Sequence, residues 1–156
     1  MRTILNQLDP KWANKKIGRS RLTIGRYGCA LTALCMSLND FGIPMMPDTM
    51  ASHEDWFTGG GLIIWSRVQA GLEKMYPNKS IHIYRYYGRN DGAIRQNLRP
   101  GCGVLLQVGY KSHWIKADRK MLLKRDYACR DPWKGRPCGA LGDYRNITGY
   151  VIVKIS

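Results

Sequence analysis

The sequence predicts an α+β fold, with helices in the first half and an antiparallel sheet in the second. Apolar residues recur at helical spacing from Cys29 to Phe41 and again from Ile63 to Tyr76. Beyond Pro77 the pattern changes to β-branched and aromatic runs separated by short turns. The chain has 156 residues, 44% apolar and 23% charged, which suits one globular unit spanning 1–156. Two units of about 78 residues each would be hard to stabilise without metals or disulfides.

Taken in order, residues 1–26 carry Asp9-Pro10 and two glycines but no helical repeat, so this segment is expected to be looped or extended and to wrap the rest. Leu31, Leu34, Cys35, Leu38 and Phe41 form the stripe of a first helix, with Ala30, Ala33 and Met36 widening it and Gly42 and Pro44 supplying a stop. Pro47 to His53 reads as a short helix, and Gly59-Gly60-Gly61 as a loop where backbone must move or be closely approached. A further helix uses Ile64, Trp65, Val68, Leu72 and Met75 and ends before Pro77. Strands are expected at Ile81–Tyr87, Val104–Val108, His113–Ala117, Lys124–Arg130 and Tyr150–Ile155, with a short helix from Asp91 to Leu98 capped by Asp91. Five strands joined by short turns imply an antiparallel sheet.

Composition excludes several classes. Twenty-five basic and 11 acidic residues give a net charge of +14, of which +3 (9 minus 6) precedes Asn78 and +11 (16 minus 5) follows. That potential attracts anions: nucleic acid, an anionic cell-wall polymer or an acidic partner. Neither helix-turn-helix nor zinc-finger spacing is present, so nucleic acid is not favoured. No run approaches the roughly 20 apolar residues of a membrane span, and the opening residues lack the apolar stretch of a signal peptide. Synthesis in the cytoplasm is therefore expected. Cys29, Cys35, Cys102, Cys129 and Cys138 are odd in number, without C-x-x-C spacing; at least one free thiol, no metal and no other cofactor are expected.

Cys29 follows Gly28 and opens the most apolar helix, where unpaired N–H groups and the helix dipole favour a thiolate. A cysteine at a helix start also serves as a small buried residue. A nucleophilic thiol requires a base, and a partner to orient that base, from distant parts of the chain. Of three histidines, His53 sits among Glu54 and Asp55 and His82 alternates along a strand, both as solvated or structural residues. His113 instead begins a strand after a turn. Asp131, 18 residues on, ends the next strand, where an antiparallel neighbour would bring it beside the imidazole; as an Asp-Pro pair it also suits a plain turn.

These residues carry a resemblance. Gln7-Leu8-Asp9-Pro10-Lys11-Trp12, Lys16-Ile17-Gly18 with Ser20, Thr23-Ile24-Gly25, Gly28-Cys29-Ala30-Leu31-Thr32, Ser112-His113-Trp114 and Asp131-Pro132-Trp133-Lys134-Gly135 resemble, in order, the motifs of papain-like cysteine peptidases related to bacteriocin-processing (double-glycine leader) peptidases. The resemblance implies a papain-like fold, with Cys29 as nucleophile, His113 as general base and acid, Asp131 as orienter of the imidazole, and Gln7 as a side-chain donor to the oxyanion beside the Cys29 N–H. It departs at Ser112, where glycine is common, and at Lys116 and Asp118, in a stretch usually more apolar.

The function expected on this basis is thiol hydrolysis of an amide bond in a peptide or in a peptidoglycan stem. Stand-alone relatives of bacterial or phage type point to a lysin or a virion-associated wall hydrolase. The alternative is a basic, non-catalytic module contacting nucleic acid or virion subunits. The aromatic and basic run Tyr84-Arg85-Tyr86-Tyr87-Gly88-Arg89 resembles a stacking surface in composition only, and a half-exposed strand is the favoured reading.

Overall fold

The computed structural model describes residues 2–156. Its helices are α1 (Ile24–Tyr27), α2 (Cys29–Asp40), α3 (Pro47–Ala51), α4 (Trp65–Met75), α5 (Asp91–Gln96) and α6 (Ala140–Tyr144). The strands are β1 (Ile81–Tyr87), β2 (Cys102–Val108), β3 (His113–Lys120), β4 (Tyr127–Asp131), β5 (Arg136–Gly139) and β6 (Ile147–Ile155). They form one sheet in the order β1-β6-β2-β3-β4-β5 with every neighbouring pair antiparallel. The expected α+β order of helices before strands is the observed one.

Alternation along the strands divides the core between two sheet faces. Leu105, Val151, Val153, Ile81 and Ile83 pack with the apolar stripes of α2 and α4, while Val104, Leu106, Ile115, Ala117, Ile152 and Tyr150 pack with α5 and α6 residues. The α2 stripe is dry: Leu31, Leu34, Cys35, Met36 and Leu38 are all buried. Burial on this scale is what holds a helix whose N-cap, Gly28, makes no side-chain cap.

Several elements depart from the sequence expectation. The sheet has six strands, because Arg136–Gly139 pairs with β4. Pro137 hid it, and an edge strand is where a residue without an N–H can sit. The strand expected at Lys124–Arg130 begins only at Tyr127. The helix expected to start at a cap on Asp91 is capped by Asn90, whose side chain accepts from the Ala93 N–H at 3.0 Å, while Asp91 lies in the first turn. The opening segment is looped, one of the two forms expected, and Trp12 anchors it, buried with its Nε1 donating to the Asn6 carbonyl at 2.9 Å.

Lys116 and Asp118 lie in β3 and are drawn in without being orphaned. Arg130 of β4 donates from Nε to Asp118 at 3.0 Å and from Nη1 to Asp40 at 3.1 Å and to the Thr3 carbonyl at 2.7 Å. Lys116 Nζ stands 3.6 Å from Asp118 and 3.9 Å from Asp40. Since Asp40 ends α2, this partly buried network ties the far end of that helix to the sheet.

Candidate active site

The chain passes from α1 into α2 through Gly28, with no residue to spare. A Cβ on Gly28 would lie 2.5 Å from the Ile24 carbonyl oxygen, so only glycine permits so tight a junction. Its consequence is that Cys29, half-buried, sits in the first turn of α2 with its backbone N–H among the orphan donors of a helix start. Gly28→Ala is expected to displace that turn and slow alkylation of Cys29 by at least about tenfold with the fold retained, as read by iodoacetamide kinetics and circular dichroism.

His113 begins β3 and Asp131 ends β4, and the antiparallel pairing brings them together: Nε2 of the ring lies 2.7 Å from Asp131 Oδ1. With Nε2 so engaged, Nδ1 is the nitrogen left for Cys29, whose thiol is near enough to act on the ring. Burial pulls the imidazolium's pKa down, but the hydrogen bonds and charges of Asp131 and Cys29 outweigh it and push the ring up to about 9. Asp131 is fully buried. Burial raises its pKa, yet the hydrogen bonds from His113 and Tyr144, the charge of the ring and the Trp133 N–H (2.9 Å) together hold it below the ordinary carboxylate range.

Tyr144 is a site residue that the sequence did not disclose. Its hydroxyl donates to Asp131 Oδ2, and its ring lies 5.0 Å from that of His113 at 37°. It belongs to α6, five residues long and therefore without a readable period. The buried Asp126 carboxylate holds that helix start, accepting from the Leu141 and Gly142 N–H groups at 2.8 Å each.

Gln7, which the resemblance makes an oxyanion donor, is 2% exposed. Its backbone N–H donates to the Pro132 carbonyl at 2.9 Å, and its Nε2 donates to the Gly25 carbonyl at 3.1 Å. A flipped amide would set oxygen against oxygen, so the donor end faces Gly25 and a second N–H remains on the same nitrogen. Gln7 is thus pinned between the residue after Asp131 and the turn before Cys29. His53 stacks on Trp56 at 3.9 Å, and His82 is exposed beside Ser80; neither joins the site. Cys35 is buried, and burial drives its thiol pKa well above the usual value.

Cys29 opens onto a cleft of about 390 Å³ between the helices and the sheet, lined in part by Leu62, Trp65, Arg85, Tyr87, Gln107 and Trp114. Gly61 of the triple-glycine loop lies on its rim with φ of +82°, a conformation glycine adopts freely. Among the described residues no group of three or more metal-ligating side chains converges, and no helix is long and apolar enough to cross a membrane.

No protein-family model matches the sequence, and no curated protein matches it significantly. Among solved structures, the chain is similar to a double-glycine motif protease from an AMS/PCAT transporter, crystallised in complex with the leader peptide. The two superpose with a TM-score of 0.54 over 82% of this chain and 84% of that one, at 14% identity. At that identity the likeness is one of fold, and the architecture is the α+β, papain-like one that the sequence led us to expect.

Proposed function

We propose that the protein is a papain-like thiol hydrolase that cleaves an amide bond in a peptide. The observation that carries the reading is the His113–Asp131 hydrogen bond with Cys29 acting on the same ring and opening onto the cleft. The Cys29 sulfur attacks the scissile carbonyl carbon, and negative charge develops on its oxygen. The Cys29 backbone N–H and the second Nε2–H of Gln7 are the donors for that oxyanion, each worth about 3–4 kcal/mol in comparable sites. The carbon–nitrogen bond then breaks as the imidazolium gives its proton to the leaving amine. Water, losing a proton to the now neutral His113, releases the acyl group from sulfur. Asp131 and, through it, Tyr144 keep the ring oriented and favour its charged form.

The substrate class we favour is a peptidoglycan stem peptide, met by a bacterial or phage enzyme at the cell wall. A net charge of +14 and a cleft lined by Arg85 and Lys111 but by no acidic residue support contact with an anionic polymer. Incubating wild type and Cys29→Ala with purified peptidoglycan and with a peptide library, and reading products by mass spectrometry, tests both levels. New amine ends from the stems, absent with Cys29→Ala, are the expected result. Cleavage confined to the library would remove the wall assignment, and cleavage of neither would remove the hydrolase.

A further inference from the structure

The cleft holds a built cation with no anion. Arg85 of β1 is half-buried, and no carboxylate among the described residues makes an ion pair with it. Its Nη2 donates to Gln107 Oε1 at 3.1 Å and its Nη1 to the Tyr86 carbonyl, both neutral acceptors. Its guanidinium carbon lies 4.1 Å from the centre of the Tyr87 ring and 4.9 Å from that of Trp114. The backbone also makes room for it. Gly149, on β6 between Tyr87 of β1 and Gln107 of β2, would place a Cβ 2.5 Å from Nη1 if it were any other residue.

A surface arginine that merely solubilises needs none of this. Here a neutral hydrogen bond, a carbonyl, two aromatic rings and a missing side chain hold one guanidinium in one place, which lowers the entropy lost when it meets a ligand. Its remaining N–H donors have no partner among the described residues, and the fork geometry matches a carboxylate. The other charged residue lining the cleft is Lys111, also basic.

We propose that Arg85 is a specificity-determining residue that binds a carboxylate of the substrate, so that the protein selects peptides bearing a free carboxylate near the scissile bond. This rests on the hydrolase reading and names its substrate chemistry. The carboxylate has two natural sources: an acidic side chain in an ordinary peptide, or the free α-carboxylate of a γ-linked glutamate in a wall stem.

The test is the rate at which Cys29 of the full chain is labelled by short peptide vinyl sulfones, followed by intact-mass spectrometry. The probes differ only in carrying glutamate, glutamine or lysine at each position before the electrophile, and a γ-linked D-glutamate probe forms a separate arm. At least one carboxylate probe is expected to label wild type about tenfold faster than its amide twin, with lysine slowest. In Arg85→Gln that ratio should fall to within about twofold, and Arg85→Lys should lie between. Whether the α-linked or γ-linked probe is faster identifies the source. Equal rates for carboxylate and amide on wild type, or a preference that survives in Arg85→Gln, would overturn the assignment while leaving the hydrolase intact. Failure of every probe to label Cys29 would bring down both.

Discussion

Iodoacetamide is expected to modify Cys29 well before Cys35 at pH values below 8, and His113→Ala to slow labelling of Cys29 several-fold. Cys35 is buried with its thiol pKa driven up, whereas Cys29 opens on the cleft and faces the ring of His113. That ring stays charged up to about pH 9, so throughout the neutral range the sulfur meets a full positive charge. Amide hydrolysis should follow the same control. Cys29→Ala should abolish it, and His113→Ala should lower kcat/KM by roughly 10²–10⁴, the usual share of a general acid–base residue. The alkaline limb of the rate profile is expected near pH 9, where the imidazolium is lost. Asp131→Asn removes a charge and a hydrogen bond that raise the ring's pKa, so the limb should move to lower pH. Stability carries matching signs. The raised histidine contributes fully below its unfolded value of about 6.5, and this contribution is lost as pH climbs through about 9. Depressed Asp131 contributes above about 3.9, and its contribution is lost on acidification through its lower folded value. Equal alkylation of Cys29 and Cys35 in the folded protein would end the enzyme reading.

Arg130→Met should destabilise the fold by about 3–5 kcal/mol, because it strands two partly buried carboxylates that arginine now bridges. Asp40 and Asp118 would keep only Lys116, at 3.9 and 3.6 Å, and the exposed Arg2, 3.0 Å from Asp118. For a chain of this size the loss corresponds to a fall in Tm on the order of 10 °C. Urea unfolding with an unchanged m-value is the check, since a changed slope would mean an altered denatured state or an intermediate. Adding Asp40→Asn and Asp118→Asn to Arg130→Met should recover part of the loss by removing the stranded charges. A single-variant loss below about 1 kcal/mol would place the network among ordinary surface ion pairs.

The α2 helix, α4 and the long strands were legible because each buries a stripe of its own, and a stripe leaves a period of 3.6 or 2 in the residues. Cys29, His113 and Asp131 were legible for a different reason: a helix start, a strand start and a strand end are positions that neighbouring punctuation marks. Short elements were not. The edge strand around Pro137 and the single turn of α6 owe their form to what they pair with or are capped by, Cys129 and Ala128 for one and Asp126 for the other. Tyr144 stayed hidden with its helix, and Lys116 and Asp118 read as misplaced until Arg130 and Asp40 came to meet them.

Sequence alone therefore determined the fold class, the order of helices and strands and the overall basic charge, since all of these are local or additive properties, and it nominated Cys29 and His113 as candidates through position and resemblance together. Tertiary structure decided which charges are paired and which are not. It set Gln7 inside, gave the His113 ring its two partners, closed the Arg130 network and left Arg85 alone in the cleft over Gly149. Hydrogen bonds and ion pairs between residues tens of positions apart depend on distance in space, and no spacing along the chain encodes that before the sheet has assembled.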